Sequence, residues 1–227
     1  MKYAELHCRS AFSFLEGGSL PEALTNIAAG MDIPAVALLD RDGFYGSPRF
    51  HMSAQKAGLR AHVGAEVTVR NEGDAGSIAN EAGTDRKNGA ECHAADRTTL
   101  DALNVTRYPL LCESRAGYQN LCRLLTRTKL RVAKHAESSA TMEELAEHAS
   151  GLVCLTGDER GPLVQALEQG GASAGRELLV KLKDVFGGKN VYVELQRHFD
   201  RRQEARNHAA IGLARELKLP LLATNGV

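Results

Sequence analysis

A histidine and several carboxylates stand at or near the ends of the apolar runs of this chain, where divalent-metal ligands would be placed. His7 follows the run ending at Leu6, and Glu16 closes the segment after it. Asp40 follows Leu38-Leu39, Glu66 lies within the run from Ala61 to Val69, and His198 follows Val191–Leu195. Imidazole nitrogens and carboxylate oxygens are ordinary ligands of zinc, manganese and magnesium. Two or more such ions close together would activate water and neutralise a phosphoryl group. Arg9 and Arg41 stand among these residues. A guanidinium stays protonated and has no lone pair to offer, so it cannot be a ligand. It can pair bidentately with the carboxylates that remain. Carboxylates gathered without metal repel one another, so Arg9 or Arg41 is expected within salt-bridge range of Glu16, Asp40 or Glu66.

The elements that must hold these residues alternate in type. Tyr3–Leu6, Ala35–Leu39, Ala61–Val69, Leu110–Cys112, Leu152–Leu155, Val191–Leu195 and Leu219–Ala223 read as strands, the last of them buried. Helical patterns lie between most of them. Ser19 with Glu22, and Thr141 with Glu144, read as capping boxes, and Pro21 suits a first helical turn. Ala23, Leu24, Ile27 and Ala28 form an apolar helix face. About seven strands alternating with helices predict a parallel sheet with right-handed crossovers. Polar residues recur after successive strands: His7, Asp40, Glu66, Glu113, Asp158, His198 and Asn225. A barrel gathers such positions at one mouth, whereas an open sheet concentrates chemistry at one switch point, usually with a glycine-rich loop. No such loop motif is present, so a barrel is the better reading. Glu113 and Asp158 read as loop or capping residues. Arg70 to about Thr98 is nearly devoid of large apolar residues and reads as a flexible low-complexity insertion within one domain spanning 1–227.

Composition sets further bounds. The 227 residues carry 28 Lys plus Arg and 28 Asp plus Glu. Zero net charge argues against a domain built as a nucleic-acid clamp. One local patch is a candidate: Arg123, Arg127, Arg131 and Lys134 recur at helical spacing and could touch phosphates or an adjoining domain, though a solvated helix face is the simpler reading. Five cysteines without paired spacing support neither a zinc finger nor a disulfide framework and fit a reducing cytoplasm. No membrane-length apolar run occurs, so no membrane partner is expected.

Together these segments resemble the PHP (polymerase and histidinol phosphatase) domain of bacterial C-family DNA polymerases, and more closely its error-prone branch. The likeness rests on Glu5–Gly17, Leu39–Gly46, Gly64–Thr68, Gly117–Leu124, Glu194–His198 and Ala223–Val227. It implies a distorted (βα)7 TIM-like barrel, here cut short at its C-terminal end, with the polymerase domains of a longer chain to follow. It also implies metal ligands at His7, Glu16, Asp40 and Glu66, with His198 in a later motif. Arg9 and Arg41 stand where the family has histidines, Arg107 or Tyr108 where another is expected, and Asn225-Gly226-Val227 where an Asp-x-His motif closes the site. The resemblance therefore implies no tightly bound cofactor, and at most one weak zinc, manganese or magnesium ion. Its functional implication is a mainly structural module in a cytoplasmic polymerase for damage-tolerant synthesis in DNA repair and replication, reaching DNA through the full-length protein. The alternative is a metal-dependent phosphoesterase or 3′–5′ exonuclease with a reduced site.

Overall fold

The computed structural model describes residues 3–71, 105–133 and 137–226. Most of the expected insertion, and Lys134, lie outside the described residues; Arg70, the first residue of that stretch, ends a strand. Seven strands form one sheet in chain order: β1 (Glu5–Cys8), β2 (Ala35–Arg41), β3 (Arg60–Arg70), β4 (Val105–Cys112), β5 (Leu152–Leu155), β6 (Val191–Leu195) and β7 (Leu221–Ala223). The helices are α1 (Pro21–Gly30), α2 (Ser47–Lys56), α3 (Arg115–Leu130), α4 (Met142–Glu147), α5 (Pro162–Phe186) and α6 (Arg201–Leu217). None of the described helices is long and apolar enough to cross a membrane.

The sheet curls around a small apolar plug of Ala37, Leu39, Leu111 and Leu155, against which Leu6, Tyr192 and Leu222 pack. Outside it, α1 and α2 bury Leu24, Ala28 and Phe50 against Cys8, Val36 and Leu38. A larger cluster joins Leu121, Leu124 and Leu125 of α3 and Leu179 and Leu182 of α5 to the outer faces of β3–β6. The seam between the first and last strands carries no strand ladder among the described residues. The Asn225 amide, just after β7, instead donates to Glu5 Oε2 on β1 at 2.8 Å.

Three expectations need correction. The sheet is not wholly parallel, because β4 runs antiparallel to both β3 and β5. Consecutive antiparallel strands can pair directly, whereas parallel neighbours need a crossover that packs on the sheet. Ser19 forms no capping box; α1 begins a residue later, with Leu20 at the N-cap and Pro21 in the first turn. The box at Thr141 and Glu144 is formed as the spacing implies. Finally, β7 is not buried. Leu221 is 43% exposed; among the described residues β7 pairs with β6 alone.

One irregularity in β1 sets up the site. Glu5 pairs with Val36 and Cys8 with Leu38, so two residues of β1, Leu6 and His7, stand opposite Ala37 alone. This bulge turns both inward: Leu6 onto the plug, His7 into the polar layer above it.

Candidate functional site at the barrel mouth

The mouth is where β1–β3 and β5–β7 end and where the reversed β4 begins. His7 is fully buried and donates through both ring nitrogens, from Nδ1 to Glu194 Oε1 at 2.7 Å and from Nε2 to Glu66 Oε1 at 2.5 Å. Burial alone would lower its pKa. The Glu194 and Glu66 carboxylates outweigh that effect and push it up to about 10, so His7 is an imidazolium at neutral pH. Burial would likewise raise the Glu66 carboxyl, but Arg9 and His7 hold it well below the usual range.

Arg9 lies over the same carboxylate as a fork. Its Nε donates to Glu66 Oε2 at 2.9 Å and its Nη2 to Glu66 Oε1 at 2.5 Å. The same Nη2 donates to Asp158 Oδ2. Asp158 also accepts from the backbone amide of Arg160 at 2.9 Å, the capping role its loop position implied. Its carboxyl, raised by burial, is brought below the ordinary value by Arg9. His7, Glu66 and Asp158 each offer a ligand atom within 4.8 Å of the others, a grouping of the kind that holds a metal ion.

The other expected site residues have different surroundings. Glu16 lies among three guanidinium groups: Arg107 Nη1 at 2.6 Å, Arg160 Nη1 at 3.1 Å and Arg41 Nη1 at 3.3 Å. Arg41 also reaches Glu137 at 3.0 Å. Arg9 and Arg41 thus both lie within salt-bridge range of the expected carboxylates. Asp40 is buried among neutral donors. It accepts from the Ser10 amide (2.9 Å), the Ser10 hydroxyl (2.8 Å), the Ser13 hydroxyl (2.9 Å) and the Gly46 amide (3.0 Å). His198 is exposed on the rim; Gln203 donates to its Nδ1 at 3.0 Å, and its Nε2 lies 3.2 Å from the Asn225 carbonyl. Glu113 follows β4, and the reversal of that strand places it at the opposite end of the barrel.

That reversal brings Arg107, opposite Thr68, to the mouth, while its neighbour Tyr108 packs in the outer core. Arg107 is buried, and its Nε and Nη2 have no hydrogen-bond partner among the described residues. Along the helical stripe, Arg127 pairs with Glu147 at 2.9 Å and Glu144 at 3.3 Å, Arg131 pairs with Glu144, and Arg123 reaches Asn120 at 3.4 Å. Two of its charges are thus matched by acidic residues of α4.

Sequence reasoning passed over Glu194, although its signal was present. It is the one charged residue of the apolar run Val191–Leu195, and alternation puts it on the inner face with Tyr192. Arg160 carried no comparable signal, because it reaches Glu16 from a loop.

A family model described as the PHP domain matches residues 5–198. The chain is 34% identical over 225 residues to the error-prone DNA polymerase of Mycolicibacterium paratuberculosis, covering 99% of this chain and 18% of that protein. The corresponding protein of Mycobacterium tuberculosis is 35% identical over the same length, again with 18% of it covered. That of Anaeromyxobacter sp. (strain K) is 33% identical over 234 residues, with 17% covered. The chain therefore spans less than a fifth of the length of these relatives. Among solved structures, a candidate metal-dependent phosphoesterase from Bifidobacterium adolescentis superposes with a TM-score of 0.61 at 14% identity, over 99% of this chain and 87% of the other. An amidohydrolase from Chromobacterium violaceum gives 0.56 at 13% identity, over 99% and 86%. At these identities the two structures establish the fold alone.

Proposed function

The chain belongs to the PHP domain family, and from that premise we propose that it is the PHP module of an error-prone C-family DNA polymerase in which ion pairs have taken over the metal positions. Its role is then structural: a rigid barrel supporting the polymerase domains of a longer polypeptide, which carry the DNA-synthetic chemistry. Damage-tolerant synthesis, DNA contact and cytoplasmic location belong to that whole protein. The observation that carries this reading is the position of Arg9, forked on Glu66 and bonded to Asp158 beside His7.

A divalent ion needs lone pairs directed at one point. His7 uses both ring nitrogens on Glu194 and Glu66, and both Glu66 oxygens accept from Arg9. As arranged, these residues do not fit a divalent ion. The guanidinium and the imidazolium supply internally the positive charge that ions would bring. The remaining function reading, a metal-dependent phosphoesterase or 3′–5′ exonuclease with a reduced site, draws on the closeness of His7, Glu66 and Asp158.

Elemental analysis of the purified protein, with and without added zinc or manganese, separates the two. We expect at most one weakly held equivalent, and Arg9→His combined with Arg41→His should raise affinity only in part. Two or more tightly bound equivalents in the unaltered protein would overturn the structural reading.

A further inference from the structure

The loop from β6 to α6 stands on the rim of the mouth and presents its side chains to solvent. Arg197, His198, Phe199 and Asp200 are all exposed, and the exposed Arg201 and Arg202 open α6 directly after them. We propose that this rim loop binds single-stranded DNA, with Phe199 as the stacking platform for a base and Arg201 and Arg202 as partners of the neighbouring phosphates. That the strand is DNA rests on reading the chain as a polymerase module; that it is single-stranded rests on the loop itself.

Phe199 is the residue of this loop that folding explains least. It is 83% exposed, so its ring gains little from burial. Its backbone φ is 61°, in the left-handed region that a bulky side chain avoids. Neither the core nor the backbone accounts for a phenylalanine at this position. The ring is nevertheless held. The buried Gln203 accepts from the His198 amide at 2.6 Å and donates to the His198 ring at 3.0 Å, which ties the loop down one residue before Phe199. Arg197 lies over the ring, with its guanidinium carbon 5.3 Å from the centroid. One face thus carries a cation and the other is open. An aromatic face fixed in solvent is a platform for an unpaired base, whereas the bases of a duplex are already stacked on one another.

The arginines supply the second half of the contact. Arg197 is already paired, with Glu204 at 2.5 Å. Arg201 and Arg202 differ: no hydrogen bond or ion pair engages either guanidinium among the described residues. Asp200 spends its carboxylate on the Arg202 and Gln203 amides and attracts the Arg202 charge at longer range. Both arginines stand in the first turn of α6, where the helix dipole disfavours cations. By contrast α4 opens with Glu143 and Glu144, as the dipole favours. The placement of Arg201 and Arg202 therefore works against the helix. Free guanidinium groups beside an open aromatic face are the combination that holds single strands, phosphate by charge and base by stacking. A contact this local agrees with a chain of zero net charge, which is not a clamp along its whole surface.

The test is fluorescence anisotropy of the 227-residue chain with a labelled, mixed-sequence DNA strand of roughly twelve nucleotides. The duplex of the same sequence is the comparison, at several salt concentrations and with a chelator present. We expect the strand to bind more tightly than the duplex. Phe199→Ala should weaken strand binding at least about fivefold with its salt dependence unchanged, because stacking releases no counterions. Arg201→Ala combined with Arg202→Ala should weaken it and flatten the slope of log affinity against log salt by about 1.4, the value for two phosphate contacts to a single strand. Lys189→Ala removes an exposed charge just before β6, at the opposite end of the barrel, and should leave binding as it was. All four positions are exposed, so the variants should keep the wild-type circular dichroism and unfolding temperature. No strand binding at low salt would overturn the proposal, as would unchanged affinity in Phe199→Ala. Duplex binding as tight as the strand's, or a loss in Lys189→Ala equal to that in Phe199→Ala, would also overturn it by leaving only general attraction to phosphate. The chelator keeps metal content out of the readout, so the polymerase-module reading stands or falls on its own test.

Discussion

Glu66 and Asp40 are both 1% exposed and sit on neighbouring strands at the same mouth, yet their charges are held in different ways. Glu66 is met by two cations, His7 and Arg9, and shares Arg9 with Asp158. Asp40 is met by hydroxyl and amide dipoles from Ser10, Ser13 and Gly46. The difference follows from crowding. A single carboxylate can be satisfied by aligned neutral donors, whereas three sharing one space, Glu66, Glu194 and Asp158, need positive charge between them. The ion-pair solution is the more fragile. Removing a cation leaves an uncompensated buried charge, while removing one neutral donor leaves several others.

The largest expected effect is therefore at Arg9. Arg9→Met keeps much of the side-chain bulk but leaves Glu66 and Asp158 facing each other, and should lower stability by about 3–5 kcal/mol in urea melts. Asp40→Asn should cost less, about 1–3 kcal/mol, because the amide nitrogen cannot accept the bonds that one carboxylate oxygen takes. An Asp40→Asn loss equal to or larger than that of Arg9→Met would break the comparison.

Acidity should sharpen it. Glu66 and Asp158 have depressed folded-state pKa values, so their contribution is full above the ordinary carboxylate value near 4.3 and drains as pH falls through the folded values. His7 is raised to about 10 from 6.5. Its contribution is full below pH 6.5 and is lost as pH rises through about 10. The urea midpoint should thus be highest between about pH 4.5 and 6.5, and His7→Asn should flatten the alkaline limb. An alkaline limb unchanged in that variant would place its origin elsewhere. The smallest effect is expected on the helical stripe. Glu147→Ala removes a pair whose members are 52% and 59% exposed, and should shift stability by no more than about 0.5 kcal/mol; a larger loss in the same melts would mean the stripe is more than a solvated face.

Much of this was legible in the chain. The alternation of apolar runs gave the strands, and the carboxylates near their ends marked the mouth, because side chains there must face either solvent or one another. Arg9 declared its role through chemistry alone: a guanidinium at a ligand position can only pair. What sequence could not supply was direction and reach. The reversal of β4 moved Glu113 to the far end and brought Arg107 in, and nothing local to Val105–Cys112 distinguishes an upward from a downward strand. His198 followed a strand as expected, but its ring turns to Gln203 and the Asn225 carbonyl at the rim. Glu194 was readable from period-two alternation within Val191–Leu195. Arg160, whose long side chain crosses to Glu16 from the loop after β5, was not.

The extra residue in β1 has a consequence for how such a domain can change over generations. Leu6 and His7 are consecutive, yet one packs on the apolar plug and the other joins the polar layer, because the bulge gives each its own inward place. In a regular strand one inward position would have to serve both layers. Here the polar residue can be exchanged without emptying the core beneath it. A lineage could therefore rewrite the chemistry of the mouth, ligand for ion pair, while inheriting the barrel intact.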